Sequence, residues 1–145
     1  MTQERRSIST LLADAECTPV LRTDFSDQEA WEDIRGTIET PTERDEFVAD
    51  VTFFDDGSCA GLTAEEIVAL VPDDYDHAFL VIVDDVATAS DEMPLLCVDL
   101  ADERGRTVRV VAAELWSIEN NLSLANMDFE EFVDAAEADG VFRGF

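Results

Sequence analysis

The stretch Ala78-Phe79-Leu80-Val81-Ile82-Val83 is apolar at every position, with Asp73-Asp74-Tyr75-Asp76-His77 before it and Asp84-Asp85 after it. A run this short, rich in branched aliphatics and walled by turn formers, reads as a strand. Apolar side chains on both of its faces place it inside a sheet that is covered on both sides. Leu95 to Leu100, apolar except at Asp99, is read as a second such run. Ala101-Asp102-Glu103-Arg104-Gly105-Arg106 then reads as a tight reversal into Thr107 to Val111, so these last two strands form an antiparallel pair.

Working outward, Pro19 to Asp24 has the Val/Leu/Thr content of a short strand, and Ser26-Asp27-Gln28-Glu29 supplies a capping box for a helix. Ala30, Trp31, Ile34 and Ile38 recur at helical steps, and Thr40-Pro41 ends the pattern. Phe47 to Phe54 alternates, with Phe47, Ala49, Val51 and Phe53 on one face and Asp50 and Thr52 on the other, as in a strand wetted on one side. Thr63 with Glu66 forms a second capping box, Leu62 can staple to Ile67, and the helix is expected to run to Pro72. Asp84 to Glu92 is the most loop-like interior region. Near the end, Asp128 caps a helix with Glu131 closing the box and Met127 facing Phe132, and Gly140 stands where a left-handed C-cap belongs.

Strands alternating with helices imply parallel crossovers, and the later strand pair implies a hairpin. The expected fold is α/β, a single-domain mixed sheet of about five strands with helices on its faces. Residues 1–18 are expected to be a loosely ordered N-terminal segment and residues 19–145 the domain.

The chain has 145 residues, with 35 aspartates and glutamates against nine basic residues, for a formal net charge of −26. Every basic residue is arginine. Such a surface repels phosphate backbones and anionic membranes, which argues against nucleic acid and lipid as partners and in favour of a basic protein. The absence of lysine excludes every mechanism that needs a lysine for a Schiff base or for gripping a phosphate. An apolar content of 46% distinguishes the chain from a disordered acidic tail. Salt adaptation or genome composition would also produce this acidity, so charge filters partners without naming one.

Cys17, Cys59 and Cys97 are widely spaced with no paired motif, which fits reduced thiols. The apolar trace around Leu11 and Leu12 is too short for a signal core or a membrane span, so the expected location is cytoplasmic.

Open α/β sheets bind ligands at the carboxyl ends of their parallel strands, and the strands read here end in Asp24, in Asp55-Asp56 and in Asp84-Asp85. Converging there, these acids would form a metal site for Mg²⁺ or another hard cation. Aspartate also favours turns and caps, and phosphoryl-transfer sites of this type pair aspartate with lysine, which is missing. His77, the sole histidine, reads as a turn residue. No glycine pattern cradles a phosphate, no catalytic residue set is complete, and no cofactor is expected.

In Ala113 to Phe132, Leu115, Ile118 and Leu122 keep helical spacing while polar residues crowd among them. Side-chain amides there either satisfy backbone groups at a break between two helices or face a partner. Trp116, Glu119, Asn120, Asn121 and Asn126 are the partner-binding candidates on the second reading.

Arg22 to Asp27, Trp116 to Ser123, Ala125 to Phe129 and the ending Gly140-Val141-Phe142-Arg143-Gly144-Phe145 together resemble an actinobacterial family of domains of unknown function, and the E-N-N-L-S-x-A-N-M-D block is the specific part. The resemblance covers about Pro19 to the end. It implies a compact cytoplasmic α/β domain and supplies no catalytic residue.

Three functions follow from these readings. The leading one is a non-enzymatic protein-binding module, immunity-type or regulatory, for a cationic partner. The first alternative is a metal-dependent phosphate-ester hydrolase using the strand-end aspartates, and the second is a nucleic-acid mimic whose carboxylates are spaced like phosphates.

Overall fold

A computed structural model describes residues 2–42 and 46–145, with side chains from Ile8 onward. Its strands are β1 (Thr18–Arg22), β2 (Val51–Phe54), β3 (Phe79–Val83), β4 (Pro94–Asp99), β5 (Thr107–Val111) and β6 (Val141–Phe142). They form one sheet in the order β2-β1-β3-β4-β5-β6. β1 runs parallel to β2 and β3, β4 is antiparallel to β3 and β5, and β6 is parallel to β5. The mixed α/β architecture is the one expected, with parallel strands first and the hairpin later. Among the described residues there are six strands rather than about five, because the two residues of β6 are too few to carry a periodic signal.

The helices are α1 (Thr2–Asp14), α2 (Gln28–Glu39), α3 (Ala64–Val68), α4 (Asp85–Ala89), α5 (Leu115–Ser123) and α6 (Phe129–Ala135). Strand side chains alternate between two cores. Val20, Phe79, Val81, Val83, Cys97 and Val110 pack with Trp31 and Ile34 of α2, Ile118 of α5 and Phe132 of α6. Leu21, Leu80, Ile82 and Val98 pack on the opposite face with Ile8 and Leu12 of α1 and Ile67 of α3. β3 is buried at all five positions, as its unbroken apolar run requires.

Several local expectations are corrected. Ahead of β1, Ile8 and Leu12 of α1 bury against an apolar sheet face. Met1 and the side chains of residues 2–7 lie outside the described residues. α1 is tied down by Ser9 Oγ donating to the Leu70 carbonyl at 3.2 Å, Tyr75 Oη to Leu12 at 2.6 Å and His77 Nε2 to Ala15 at 2.9 Å.

The cap of α2 is Asp27, one residue later than read, accepting from the Ala30 amide at 3.0 Å. α3 keeps its Thr63–Glu66 capping box but ends at Val68 rather than Pro72. β2 begins at Val51, not at Phe47, because the preceding residues turn away toward α5. The supposed loop at Asp84 to Glu92 contains α4, capped by Asp84. Gly140 does have a positive φ of 82°, but it closes the turn into β6, while α6 ends at Ala135.

α2 and α3, the helices of the crossovers β1-α2-β2 and β2-α3-β3, lie on opposite faces of the sheet. The order of the sheet therefore reverses between β1 and β3. A crevice opens beyond the carboxyl ends of strands at such a point.

Candidate functional site

That crevice has a volume of about 520 Å³ and is lined by Thr23 and Asp24 after β1, Thr63 before α3, and Asp84 and Asp85 after β3. Asp24 accepts from the Ser26 amide at 3.0 Å and from the Thr88 hydroxyl. Those bonds, Thr88 first, hold its carboxyl below the usual carboxylate range. Asp84 caps α4 through the Ala87 amide at 3.2 Å and takes a two-pronged bond from Arg109, 2.8 Å on each arm. Asp85 sits in the exposed first turn of α4.

The other two strand-end acids do not line the crevice. Asp55 accepts from Arg22 at 3.1 Å, and Arg22 also reaches Gln28 at 2.8 Å and the Asp24 carbonyl at 3.1 Å. The buried Arg22 guanidinium lies 4.4 Å from the Phe25 ring centre and 5.3 Å from that of Trp31. Asp56 accepts from the Ser58 amide at 2.9 Å and its hydroxyl at 2.7 Å, which lower its pKa and cap a single 3-10 turn. Three of the five aspartates thus share the crevice, and two of those three are bonded to neighbouring side chains. Among the described residues, no three His, Cys, Asp or Glu side chains group so as to hold a metal ion.

Nucleophile candidates are poorly placed. Burial pushes the Cys59 thiol up to about 11 and raises Cys97 further, while Cys17 is raised by burial and then by the nearby acids Asp50 and Glu119. His77 holds the end of α1 through its Nε2.

The E-N-N-L-S block forms a polar knot. Glu119 is buried, with 4% of its surface exposed. Its Oε1 accepts from the Asp50 amide at 2.7 Å and from Asn120 Nδ2 at 3.1 Å, and its Oε2 from the Ser123 hydroxyl at 2.6 Å. Asn120 also donates to the Val48 carbonyl at 3.1 Å, and Asn121 donates to the Ser117 carbonyl at 2.7 Å. The Asn121 carbonyl takes the Asn126 amide at 2.9 Å across the break between α5 and α6, where Ala125 has a φ of 57°. Glu119 and Asn120 therefore fasten the irregular approach to β2, and Asn121 ties the break that follows α5 back onto that helix. The Asn120 and Asn121 side-chain amides thus satisfy backbone carbonyls. Asn126 is exposed. Sequence reading marked the block but not Glu119 as a buried carboxylate, since only its distance from Asp50 and Val48 in the chain hides that pairing.

Trp116 lines a different depression, a groove of about 810 Å³ between α2 and the 3-10 turn Ala112–Glu114. Glu32, Asp33, Gly36, Thr37 and Thr40 form one side, with Glu114 and Trp116 opposite. The Trp116 ring stacks on Phe47 at 5.1 Å and 21°, and Phe47 stays 45% exposed. Among the described residues the buried indole Nε1–H of Trp116 has no acceptor. No residue motif announced this groove, because α2 and Ala113–Trp116 are joined only by the fold.

Fold and site define a class: a three-layer mixed α/β domain with an acidic crevice at its sheet reversal and a polar knot behind β2. Residues 17–145 match the family described as Domain of unknown function (DUF6924), and the chain belongs to that family. No curated protein matches the chain, and no solved structure does.

Proposed function

We propose that this is a cytoplasmic, non-enzymatic binding module, immunity-type or regulatory, that covers a cationic surface of a partner protein. The observation carrying this reading is the charge left over after internal pairing. Arg22 pairs with Asp55, Arg35 with Glu39, Arg106 with Glu103 and Glu130, Arg109 with Asp84, and Arg143 with Glu92, Glu137 and Asp139. Arg104 is bonded to the Val71 and Pro72 carbonyls. Every arginine with a described side chain is thus engaged within the molecule, against a total of 35 acids. The remaining carboxylates attract cations from outside, which speeds encounter with a basic protein and makes binding salt-sensitive.

The immobilised protein is expected to retain a basic protein from native extract at low salt and release it at high salt. Retention of nothing at either ionic strength removes this reading, and retention of a DNA-binding protein whose DNA competes for the site favours the mimic.

The hydrolase alternative draws its support from Asp24, Asp84 and Asp85 in the crevice. It is the weaker reading, since Asp84 is already neutralised by Arg109 and Asp24 is committed to Thr88 and Ser26. Saturable heat on titration with Mg²⁺, Mn²⁺ or Ca²⁺ would reinstate it.

A further inference from the structure

Resting on the cationic-partner reading, we infer that the groove between α2 and Ala112–Trp116 is the docking site, and that its occupant is an extended, arginine-bearing segment of the partner. Three independent features meet there. The first is charge. Glu32 and Asp33 on one side and Glu114 on the other make no ion pair with an arginine among the described residues.

The second is Gly36, inside α2. Glycine is the poorest helix former after proline, so its presence there calls for a reason. No backbone strain requires it, and a Cβ placed on it meets nothing within 4 Å, so packing does not require it either. What glycine does provide is a bare helix face along the groove.

The third is the aromatic pair, with Trp116 in the wall and Phe47 stacked on it and half exposed. A planar guanidinium can lie on such a stack while its N–H fork reaches a carboxylate, which an ammonium does less well. The molecule already uses this arrangement internally. Arg22 lies over Phe25 and Trp31 beside Asp55, and Arg35 lies 4.8 Å from the centre of Phe53 while pairing with Glu39. A second copy of the chain is disfavoured as occupant, because it brings the same charge of −26.

The test is calorimetry with a capped synthetic peptide of alternating arginine and serine, at about 0.15 M salt, where surface charges are already well screened. The expected result is saturable binding to the wild-type protein and none by the same peptide with citrulline for arginine. Gly36→Leu should fill the groove and weaken binding about tenfold or more while leaving the melting temperature unchanged or raised. A triple variant, Glu32→Gln with Asp33→Asn and Glu114→Gln, should weaken binding and flatten its salt dependence. Asp14→Asn with Glu65→Gln, on the opposite face of the sheet, should do neither.

Equal affinity for wild type and both groove variants overturns the groove and leaves the acidic-module reading standing. No binding to the wild type also overturns the groove, while the acidic-module reading falls only if native extract yields no retained protein. A wild-type dimer in sedimentation that Gly36→Leu dissociates overturns the choice of occupant.

Discussion

Glu119 is a carboxylate removed from water, and it persists because three donors face its two oxygens. Hydrogen bonds to a buried charge are among the stronger ones, and deleting the acceptor strands its donors. Glu119→Ala is therefore expected to cost about 3 kcal/mol in urea denaturation and to speed hydrogen exchange at the Asp50 amide. A loss under about 1 kcal/mol would show that water replaces the knot.

Asp24 makes a pH-dependent contribution. Its folded pKa lies below the ordinary value, chiefly through Thr88, so the folded state favours the charged form. That stability is present above about pH 4 and is lost as pH falls through the lowered folded value. Asp24→Asn and Thr88→Val should each flatten the fall in melting temperature on acidification from about pH 6 to about pH 3. A wild-type slope in both variants would refute the assignment. At this scale the sequence marked Glu119 and Asp24 as polar points of interest, but the donors Asp50 and Thr88 come to them from other elements.

Capping chemistry is local, and so the boxes at Thr63 and Asp128 were legible at the scale of elements. Each needs only residues within one helical turn. α4 was missed for the converse reason. It is five residues long, with small and polar side chains, and it exists because Asp84 caps it and Ala87 packs into the core.

β6 is shorter still, and its hold comes from Phe142, which is fully buried with ring centres 5.1 Å from Phe132 and 4.9 Å from Phe145. Phe142→Ala should destabilise the protein by about 3–5 kcal/mol, a core-residue value that a loose tail would not produce. Chemical denaturation checks this. A change near zero would mean that β6 contributes no core.

For the whole molecule, self-repulsion and internal ion pairs respond to salt in opposite directions. Screening weakens pairs such as Arg143 with Glu92, but it also weakens repulsion among the acids, 35 against nine basic residues. Repulsion should win. Raising sodium chloride from about 0.05 M to about 0.5 M is expected to lift the melting temperature by roughly 3–6 °C in a thermal scan. A falling melting temperature would show that the ion pairs dominate.

The sheet interior and its two covered faces were determined by sequence alone, because an unbroken apolar run such as Phe79 to Val83 has one low-energy destination and period-two alternation assigns its sides. The acidity, too, belongs to the sequence. Only the tertiary structure decided what became of individual polar groups. Glu119 meets an amide 69 positions away, Asp84 meets an arginine 25 positions away, and the groove is formed by α2 and a turn near α5. Hydrogen bonds and ion pairs of this kind depend on distances of a few ångströms between groups far apart in the chain, and no local pattern of residues encodes those distances.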